Sequence, residues 1–404
     1  MSLSLQWMTK DIGAQIVGQT RALSFASTTK EIELYQQRLA SDARVVADDL
    51  LLAQRDGVAV GTATSYSMNM WIRGQSLPIQ GVAWVGTIKT HRRTDGVASQ
   101  LMHEMLRKGR ERNQVLSALL PFRASYYDHF GYGLIERRAT WTIPLSILPT
   151  GPAHGFTFIT GADDTRRACR QRMVERGQCD VERAAGFWDH WTNQENDSFV
   201  VADLSEAPAM RSWFVCQHEK QNGKDILKIF DCAYDSIASL RRSLNYFATL
   251  KDQYWAISLT LPADLQLNRL LKEPQLPRIP LNHETPEIKI FTRMQARILD
   301  HARIVSALHL PDTIKGQCTL AIQGTEGTIS TLRVQIESGR AIATPTTAAP
   351  DIELSDRTWS AIVLGDLSAT RAADLGLIRV HTPTTPPLLD IFSKGPAPFC
   401  NEYF

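Results

Sequence analysis

The spacing of apolar residues in the first third of the chain predicts several β-strands. Residues 50–54 and 58–68 are rich in apolar side chains and flank Asp56-Gly57, a dipeptide that favours a tight hairpin turn. Residues 82–88 and 115–120 are short apolar runs, which are typical of strands buried on both faces. The pattern therefore predicts a hairpin followed by two buried strands.

Helical periodicity lies between these two buried runs. Apolar residues recur at steps of three and four between Val97 and Leu106, which places them on one face of a helix. A basic turn containing a glycine, residues 91–96, separates this helix from the preceding strand. The order strand, turn, helix, strand predicts a βαβ-like unit. A shorter helix is predicted over residues 31–39.

The remaining two thirds carry weaker patterns of the same two kinds. Strands are predicted at residues 214–216, 226–230, 254–261, 316–322 and 328–336. Helices are predicted at residues 238–250 and at 162–177, where the many arginines indicate a solvated surface. Residues 351–355 lead into a further helix, and prolines within residues 276–280 predict a domain boundary.

Composition then narrows the functional class. The chain has 404 residues, of which 43% are apolar and 21% are charged, as in ordinary globular proteins. The net charge of +2 is too small to indicate nucleic acid or an anionic membrane as a partner. The six cysteines form no C-x-x-C pair and have no histidine at zinc-ligand spacing, which predicts free thiols and no metal site. Since no segment has the pattern of a signal peptide or a membrane span, we expect a cytoplasmic protein.

The strongest local motif is a basic turn, Arg92-Arg93-Thr94-Asp95-Gly96-Val97-Ala98, between a predicted strand and a predicted helix. The first N–H groups of a helix have no partner within it, and together with the helix dipole they attract anions. Gly96 allows a positive φ or a close approach of the backbone, and the arginines add charge. The alternative is a surface turn with solvated arginines, but the flanking strand and helix favour an anion site.

This turn resembles the R/Q-x-x-G-x-G/A signature of the GNAT superfamily of N-acetyltransferases. The segment PFRASYYDHFGYG, residues 121–133, is similar to its Eis-like (enhanced intracellular survival) branch. So are the segments at residues 351–355, 364–366 and 398–404. The resemblance therefore covers both ends of the chain.

The resemblance implies an α+β fold made of tandem GNAT acetyltransferase-like domains followed by a sterol-carrier-protein-like domain. Residues 1–145 would form the catalytic GNAT domain, and residues 146–285 a degenerate acetyltransferase-like domain. Residues 286–404 would form the sterol-carrier-protein-like domain and carry the catalytic C-terminus.

The resemblance also implies acetyl-CoA as the cosubstrate and no metal. The basic turn would bind the pyrophosphate of CoA, and the preceding strand would separate from its neighbour to pair with the pantetheine arm. The implied cofactor-binding residues are Val82, Val85, Gly86, Thr87, Arg92, Arg93, Thr94, Asp95, Gly96, Val97 and Ala98.

Acetyl transfer to an amine benefits from an acid for the leaving thiolate and requires the ammonium to lose a proton. Tyr127 matches the family's general-acid tyrosine, and its neighbour Tyr126 is the rival, facing the opposite way if the chain is extended. Without the resemblance, Tyr127 would be interpreted as a half-buried aromatic residue. In Eis-like proteins the C-terminal carboxylate enters the first domain's site, which makes Phe404 the implied base, with Glu402 as a neighbouring carboxylate. His129 is the alternative base, although a structural role is more usual for such a histidine.

The implied substrate-binding residues are Phe25, Ser27, Trp84 and Glu402. Ser27 stands where a family segment carries an aspartate in the amine pocket, and Lys89 replaces the usual proline before the basic turn. We expect a small aminoglycoside-like or polyamine-like acceptor, with a polycationic aminoglycoside binding less well.

For partners, the resemblance implies a homo-oligomer, a hexamer in the family, and the small net charge predicts no nucleic acid and no membrane. The alternative function is a non-catalytic protein that binds apolar ligands in the sterol-carrier-like domain. Acetyl-CoA binding distinguishes the two functions.

Overall fold

The computed structural model describes residues 3–46, 48–92, 96–275 and 284–404, except for the side chain of Glu326. The first elements of the chain are β1 (Leu3–Met8), α1 (Lys10–Phe25), α2 (Ile32–Ser41), β2 (Leu50–Arg55), β3 (Val58–Ile72), β4 (Gln75–Thr87), α3 (Val97–Glu111), β5 (Leu116–Leu119), α4 (Ala124–Asp128), β6 (Gly133–Leu134) and β7 (Arg138–Pro144). Next come β8 (Phe156–Ile159), α5 (Asp164–Arg176), β9 (Asp180–Val181), α6 (Ala185–Thr192), β10 (Phe199–Asp203), β11 (Ser212–Gln221), β12 (Lys224–Tyr234), α7 (Ile237–Ala248) and β13 (Ala256–Pro262).

The last elements are β14 (Glu287–Phe291), β15 (Gln295–Ile298), α8 (His301–Ala307), β16 (Gly316–Gln323), β17 (Ile329–Glu337), β18 (Arg340–Pro345), β19 (Ile352–Ser355), α9 (Asp356–Leu364), α10 (Ala369–Asp374), β20 (Ile378–Val380) and α11 (Thr385–Leu389). Short 3₁₀ turns lie at Thr29–Glu31, Lys89–His91, Leu145–Ile147, Leu267–Leu270, Thr325–Gly327 and Asp390–Ser393.

These strands form three sheets. The first sheet has the order β1-β2-β3-β4-β5-β15-β6, with β9 added beside β3. The second has the order β14-β7-β13-β12-β11-β10-β8, and the third has the order β18-β17-β16-β19-β20. Helices pack on all three, which is the mixed α+β arrangement that the sequence predicts.

Each of the first two sheets includes a strand from another part of the chain. β7 comes from the first third of the chain but pairs antiparallel with β13 of the second sheet. β15 follows residue 286 but pairs antiparallel with β5 of the first sheet. The predicted limits at residues 145 and 285 remain a prediction, and β7, β14 and β15 form sheet pairs across them. The boundary predicted at residues 276–280 lies outside the described residues.

The first and third sheets share one apolar core. Leu320, Trp359 and Ile362 of the third part belong to the same cluster of buried side chains as Tyr66 and Ile79 of the first. The second sheet has a separate core of its own. The shared core holds the third part against the first sheet, so the last residues of the chain can reach that sheet.

Local sequence explains the elements nearest the site. Asp56 and Gly57 both have positive φ, 47° and 82°, which gives the hairpin turn between β2 and β3 that the sequence predicts. Along α3, Val97, Leu101 and Met105 are all buried on one face, as their spacing predicts.

The arginine-rich helix corrects a prediction. The sequence predicts that α5 is solvated, but the side chains of Arg166 and Arg170 are 0% and 1% exposed. Arg166 pairs with Glu195 at 2.5 Å and Arg170 pairs with Asp180 at 2.5 Å. The carboxylates that allow these arginines to be buried lie outside the helix, so the pattern of the helix alone could not reveal them.

The described part of the chain also bears on cysteines, metals and membranes. All six cysteines are buried and free. Within residues 3–46, 48–92, 96–275 and 284–404, no group of three or more His, Cys, Asp or Glu side chains is arranged to hold a metal ion. No helix in these same ranges is both long enough and apolar enough to cross a membrane.

Candidate active site

Strand β4 contains a bulge at Trp84. Thr62 of β3 faces Gly86, whereas Thr64 faces Ala83, so two residues of β4 stand opposite one residue of β3. Trp84 itself has a φ of 55°, which turns its side chain out of the regular alternation. A bulge of this kind redirects a side chain and leaves local backbone groups free of the sheet ladder.

The same strand separates from its parallel neighbour. β4 pairs with β5 from Ile79–Leu116 to Val82–Leu119, and the pairing ends there. Beyond Val82, one edge of β4 is therefore available to another extended chain, and its N–H groups can act as fixed donors. Val85 and Thr87 are half-buried in this segment and Gly86 is buried.

The start of α3 provides an anion site beside this separation. Gly96 is the N-cap with a φ of 65°, and among the described residues no side-chain hydrogen bond caps this end of the helix. A Cβ added to Gly96 would meet no described atom within 4 Å, so no described side chain crowds the start of the helix, where the first N–H groups lie. Val97 is buried and Ala98 is half-buried. Arg92 directly precedes the part of the predicted turn, Arg93, Thr94 and Asp95, that lies outside the described residues.

Tyr127 lies in the core that lines this region. It is buried in one apolar cluster with Val82, Leu119 and Phe130. Burial raises the pKa of Tyr127 above its ordinary value of about 10. The phenol therefore keeps its proton at neutral pH, which is the form required of an acid.

The rival tyrosine is close to Tyr127 and differs in its surroundings. Both residues lie on the short helix α4, which corrects the expectation of an extended chain with opposite faces. The ring centroids of Tyr126 and Tyr127 are 5.0 Å apart, with the planes at 82°. Burial raises the pKa of Tyr126 to about 12, and among the described residues its hydroxyl has no hydrogen-bond partner.

His129, the alternative base, has a structural partner. It ends α4, is exposed, and its Nδ1 lies 2.9 Å from the carbonyl oxygen of Ser125. It lines a cavity shared with Asp356 and Arg357 of the third part, rather than the surroundings of Trp84.

The end of the chain reaches the first sheet. A Cβ added to Gly81 of β4 would lie 3.0 Å from Cδ2 of Phe404, so the Phe404 ring packs directly on this strand. Gly81 precedes Trp84 by three residues. The side chain of Met68 also lies next to Gly81. The C-terminal residue predicted to act on the first domain thus lies beside the strand that carries the bulge.

Glu402 is held by partners from the second part of the chain. It is fully buried, Arg183 Nε donates to its Oε2 at 2.8 Å, and the indole N–H of Trp191 donates to its Oε1. Arg183 also pairs with Asp231 at 2.8 Å. The charge of Glu402 is therefore compensated within the protein, and its side chain fixes the position of the terminal segment.

A cavity of about 590 Å³ opens at Trp84. It lies between α1, α2 and α6, and it is lined by Arg21, Tyr35, Arg38, Leu39, Ser41, Asp42, Ala43, Arg44, Trp84, Asp189, His190, Asn193 and Gln194. Of the four predicted substrate-binding residues, Trp84 lines this cavity. Phe25 packs edge-on against Trp84 with 5.7 Å between ring centroids, whereas Ser27 is exposed and its N–H donates to Glu31.

Comparisons with known proteins agree with this geometry. Residues 11–135 match the model of the acetyltransferase (GNAT) domain, and residues 302–401 match that of the sterol carrier protein domain. The chain therefore contains a GNAT acetyltransferase domain and is an N-acetyltransferase. An uncharacterized N-acetyltransferase of Streptomyces avermitilis is 23% identical to it over 381 residues, covering 86% of this chain and 87% of the relative.

Solved structures match the whole acetyltransferase. The GCN5-related N-acetyltransferase from Anabaena variabilis superposes with a TM-score of 0.85 at 16% identity, and each chain is covered completely. Eis1 from Mycobacterium abscessus superposes with a TM-score of 0.79 at 18% identity, again over 100% of both chains. At these identities the matches show the fold, which is shared with Eis1 as the Eis-like resemblance predicts. The two family models confirm the predicted order, with a GNAT domain first and a sterol-carrier-like domain last.

Sequence reasoning missed most of the cavity in the acetyltransferase. Arg21, Asp42 and Arg44 come from α1 and the loop after α2, and His190 comes from α6 of the second part. One signal was present in α1: Arg21 follows Val17 by four residues, on the face of the helix that is otherwise small or apolar. The contribution of α6 had no local signal, because it depends on how the parts pack.

Proposed function

We propose that this acetyltransferase transfers an acetyl group from acetyl-CoA directly to a primary amine bound in the cavity beside Trp84. The observation that carries the proposal is the bulged end of β4, which separates from β5 next to the uncapped start of α3. GNAT domains use acetyl-CoA in general, and this arrangement fits it: an open helix N-terminus suits a pyrophosphate and a free strand edge suits an amide-containing arm.

The proposed cofactor residues follow from that fit. Arg92, Gly96, Val97 and Ala98 would hold the pyrophosphate together with the predicted Arg93, Thr94 and Asp95, and the edge of β4 from Val82 to Thr87 would hold the pantetheine arm. When bound, acetyl-CoA supplies an activated acetyl group as a thioester.

The residues of the chain would then act in three ways. N–H groups at the β4 bulge donate hydrogen bonds to a carbonyl oxygen as it gains negative charge. Tyr127 holds a phenolic proton for a leaving thiolate. The carboxylate of Phe404 takes a proton from the ammonium, directly or through water, while Trp84, supported by the ring of Phe25, forms one wall for the amine.

Two measurements test the proposal. Isothermal titration with acetyl-CoA should show binding, and release of free CoA thiol should depend on an added amine. The amine panel should contain aminoglycoside-like and polyamine-like compounds, which the family resemblance predicts, together with simple amines and amino acids. Absence of acetyl-CoA binding would reject the proposal and leave ligand binding by the sterol-carrier-like domain as the alternative. Assembly as a homo-oligomer and a cytoplasmic location stay predictions.

A further inference from the structure

The cavity beside Trp84 contains a buried cation. Arg21 is 3% exposed, and its guanidinium carbon lies 5.0 Å from the centre of a Trp84 ring. Its Nη2 donates to Thr64 Oγ1 at 2.5 Å, while Nε has no hydrogen-bond partner among the described residues. Burial lowers the pKa of Arg21 to about 10, so the group remains charged at neutral pH.

The other charges of the cavity are compensated or neutral. Arg44 donates to both oxygens of Asp42, at 2.9 and 2.8 Å. Burial, followed by the charge of Arg44, lowers the pKa of His190 to about 4, so this imidazole is neutral at pH 7. Arg38 and Asp189 are exposed and carry opposite charges. In the part of the chain that the structure describes, no carboxylate forms an ion pair with Arg21. The charge of Asp42 acts on Arg21 from a distance, but Asp42 is itself paired with Arg44.

A buried guanidinium without a counter-ion is unfavourable, and the protein supplies it with one hydroxyl and one aromatic face. A planar guanidinium matches the two oxygens of a carboxylate, as it also matches those of a phosphate, through a pair of N–H groups. Arg21 also lies against the residue at the β4 bulge, where the proposed transfer takes place. An anion bound there would lie close to the reacting amine of the same small molecule.

We propose that the acceptor of this acetyltransferase is an amine that also carries a carboxylate, as an amino acid does, and that Arg21 binds this carboxylate. The inference rests on the proposed function and defines its substrate class. An uncompensated cation in the cavity disfavours polycations, so an aminoglycoside or a polyamine is a poor acceptor for the same physical reason.

Matched pairs of acceptors test this inference. Phenylalanine and phenethylamine differ by one carboxylate, as do alanine and ethylamine. For each pair we expect the wild-type kcat/KM to favour the acid, and we expect Arg21→Gln to reduce this preference by about tenfold or more. Because the ratio is compared between two enzymes, differences in the intrinsic reactivity of the amines cancel. The phosphonic acid analogue of phenylalanine shows whether the anion must be a carboxylate, and spermidine represents the polycations.

Two further variants separate recognition from general damage. Lys30→Gln removes a positive charge from the exposed 3₁₀ turn after α1, outside the cavity lining, and should leave the preference intact. Arg21→Lys keeps the charge but loses the planar fork, so it should retain part of the preference. Thermal melts show whether each variant is folded. If Arg21→Gln does not fold, the preference for the acid is compared between Arg21→Lys and wild type. A reduced preference in folded Arg21→Lys then supports the role of Arg21, and an unchanged preference overturns it.

Binding measurements keep this inference distinct from the proposed function. Calorimetric titration with phenylalanine and with phenethylamine needs no turnover, so carboxylate recognition is measured even if no acetyl transfer occurs. Acetyl-CoA binding without any preference for the acid, or an equal loss for both members of a pair in Arg21→Gln, would overturn the role of Arg21 and leave the proposed function standing. Preference for the acid without acetyl-CoA binding would support the role of Arg21 and reject the proposed function.

Discussion

In each of the first two sheets, a pair of neighbouring strands runs parallel for a few residues and then separates. β4 leaves β5 after Val82, and β12 leaves β13 after Lys228. In each case a helix, α3 or α7, connects the two strands. The two clefts therefore have the same construction, and their differences show what a cofactor cleft requires.

The helices at the two clefts begin differently. α3 begins at Gly96 with positive φ, and no side chain of the described residues caps it. α7 begins at Ser236, whose hydroxyl accepts from the N–H of Ser239, while the hydroxyl of Ser239 accepts from the N–H of Ser236. The serine side chains satisfy two of the N–H donors that an anion could use, so the second helix offers a weaker anion site.

The second cleft also holds the end of the chain. The amide side chain of Asn401 donates to Asp231 of β12, and the ring of Tyr403 stacks on Arg293 at 3.2 Å. Between these residues and Thr260 of β13 a space of about 150 Å³ is left. The cleft that is closed to a cofactor thus anchors the segment that places Phe404 on β4 of the first cleft.

The largest expected effect comes from closing the first cleft. Gly96→Asp would add a carboxylate where we predict pyrophosphate, and we expect acetyl-CoA affinity measured by calorimetry to fall about 100-fold or more. Gly223→Asp is the matched control, because Gly223 has a similar φ of 79° and also has nothing within 4 Å of an added Cβ. It lies in the turn before β12 and should leave acetyl-CoA affinity unchanged. Normal affinity in a folded Gly96→Asp variant would remove the anion site.

The next largest effect is expected from removing the general acid, which is predicted only for the first cleft. Tyr127→Phe removes the phenol and should lower kcat about 100-fold, while acetyl-CoA affinity stays the same. Since burial raises the pKa of Tyr127, its proton is kept to higher pH, and loss of kcat through its deprotonation should begin only above pH 10. Tyr126→Phe is the control and should have a much smaller effect. Equal or reversed losses would assign the acid to Tyr126.

A smaller loss of activity is expected when the C-terminal residue, whose segment is anchored in the second cleft, is altered. A C-terminal extension converts the Phe404 carboxylate into an amide, and deletion of Phe404 moves the carboxylate by about 3.3 Å. Either change should lower kcat about tenfold or more, because proton transfer depends on position. Acetyl-CoA affinity should be unchanged, since the start of α3 is untouched. Full activity of the extended enzyme would exclude the terminal carboxylate as the base and return attention to His129 or a water-bridged carbonyl.

The first cleft could be predicted because its signals are local. The Asp56-Gly57 turn, the apolar face of α3 and the glycine before it lie within short stretches of sequence, and each has one favoured geometry. The approach of Phe404 to the first domain came from the family resemblance. No pattern in residues 398–404 alone indicates which strand this segment meets.

The second cleft and the acceptor cavity could not be predicted because they depend on distant pairings. β7 and β15 pair with strands that lie more than 100 residues away in the sequence, β13 and β5. The sequence of α5 alone predicts that Arg166 and Arg170 are exposed to solvent. The fold buries them because it brings Glu195 and Asp180 into contact with them. The same holds for Arg21, whose neighbours Thr64 and Trp84 come from β3 and β4. Polar groups become buried through such partners, and hydrophobic periodicity does not encode them.

The smallest expected effect comes from opening the helix at the second cleft. Ser236→Ala removes the cap of α7, and we expect the free energy of unfolding to fall by about 1 kcal/mol, as for other N-cap serines. Ser330→Ala, at an exposed position on β17, is the control and should change stability little. Uncapping frees donors at α7, but Asn401 and Tyr403 still occupy the cleft, so calorimetry should show the same acetyl-CoA stoichiometry as wild type. A second acetyl-CoA bound per chain in Ser236→Ala would show that the cap alone distinguishes the two clefts. An unchanged stoichiometry with lower stability would show that the terminal segment is sufficient to keep the second cleft closed.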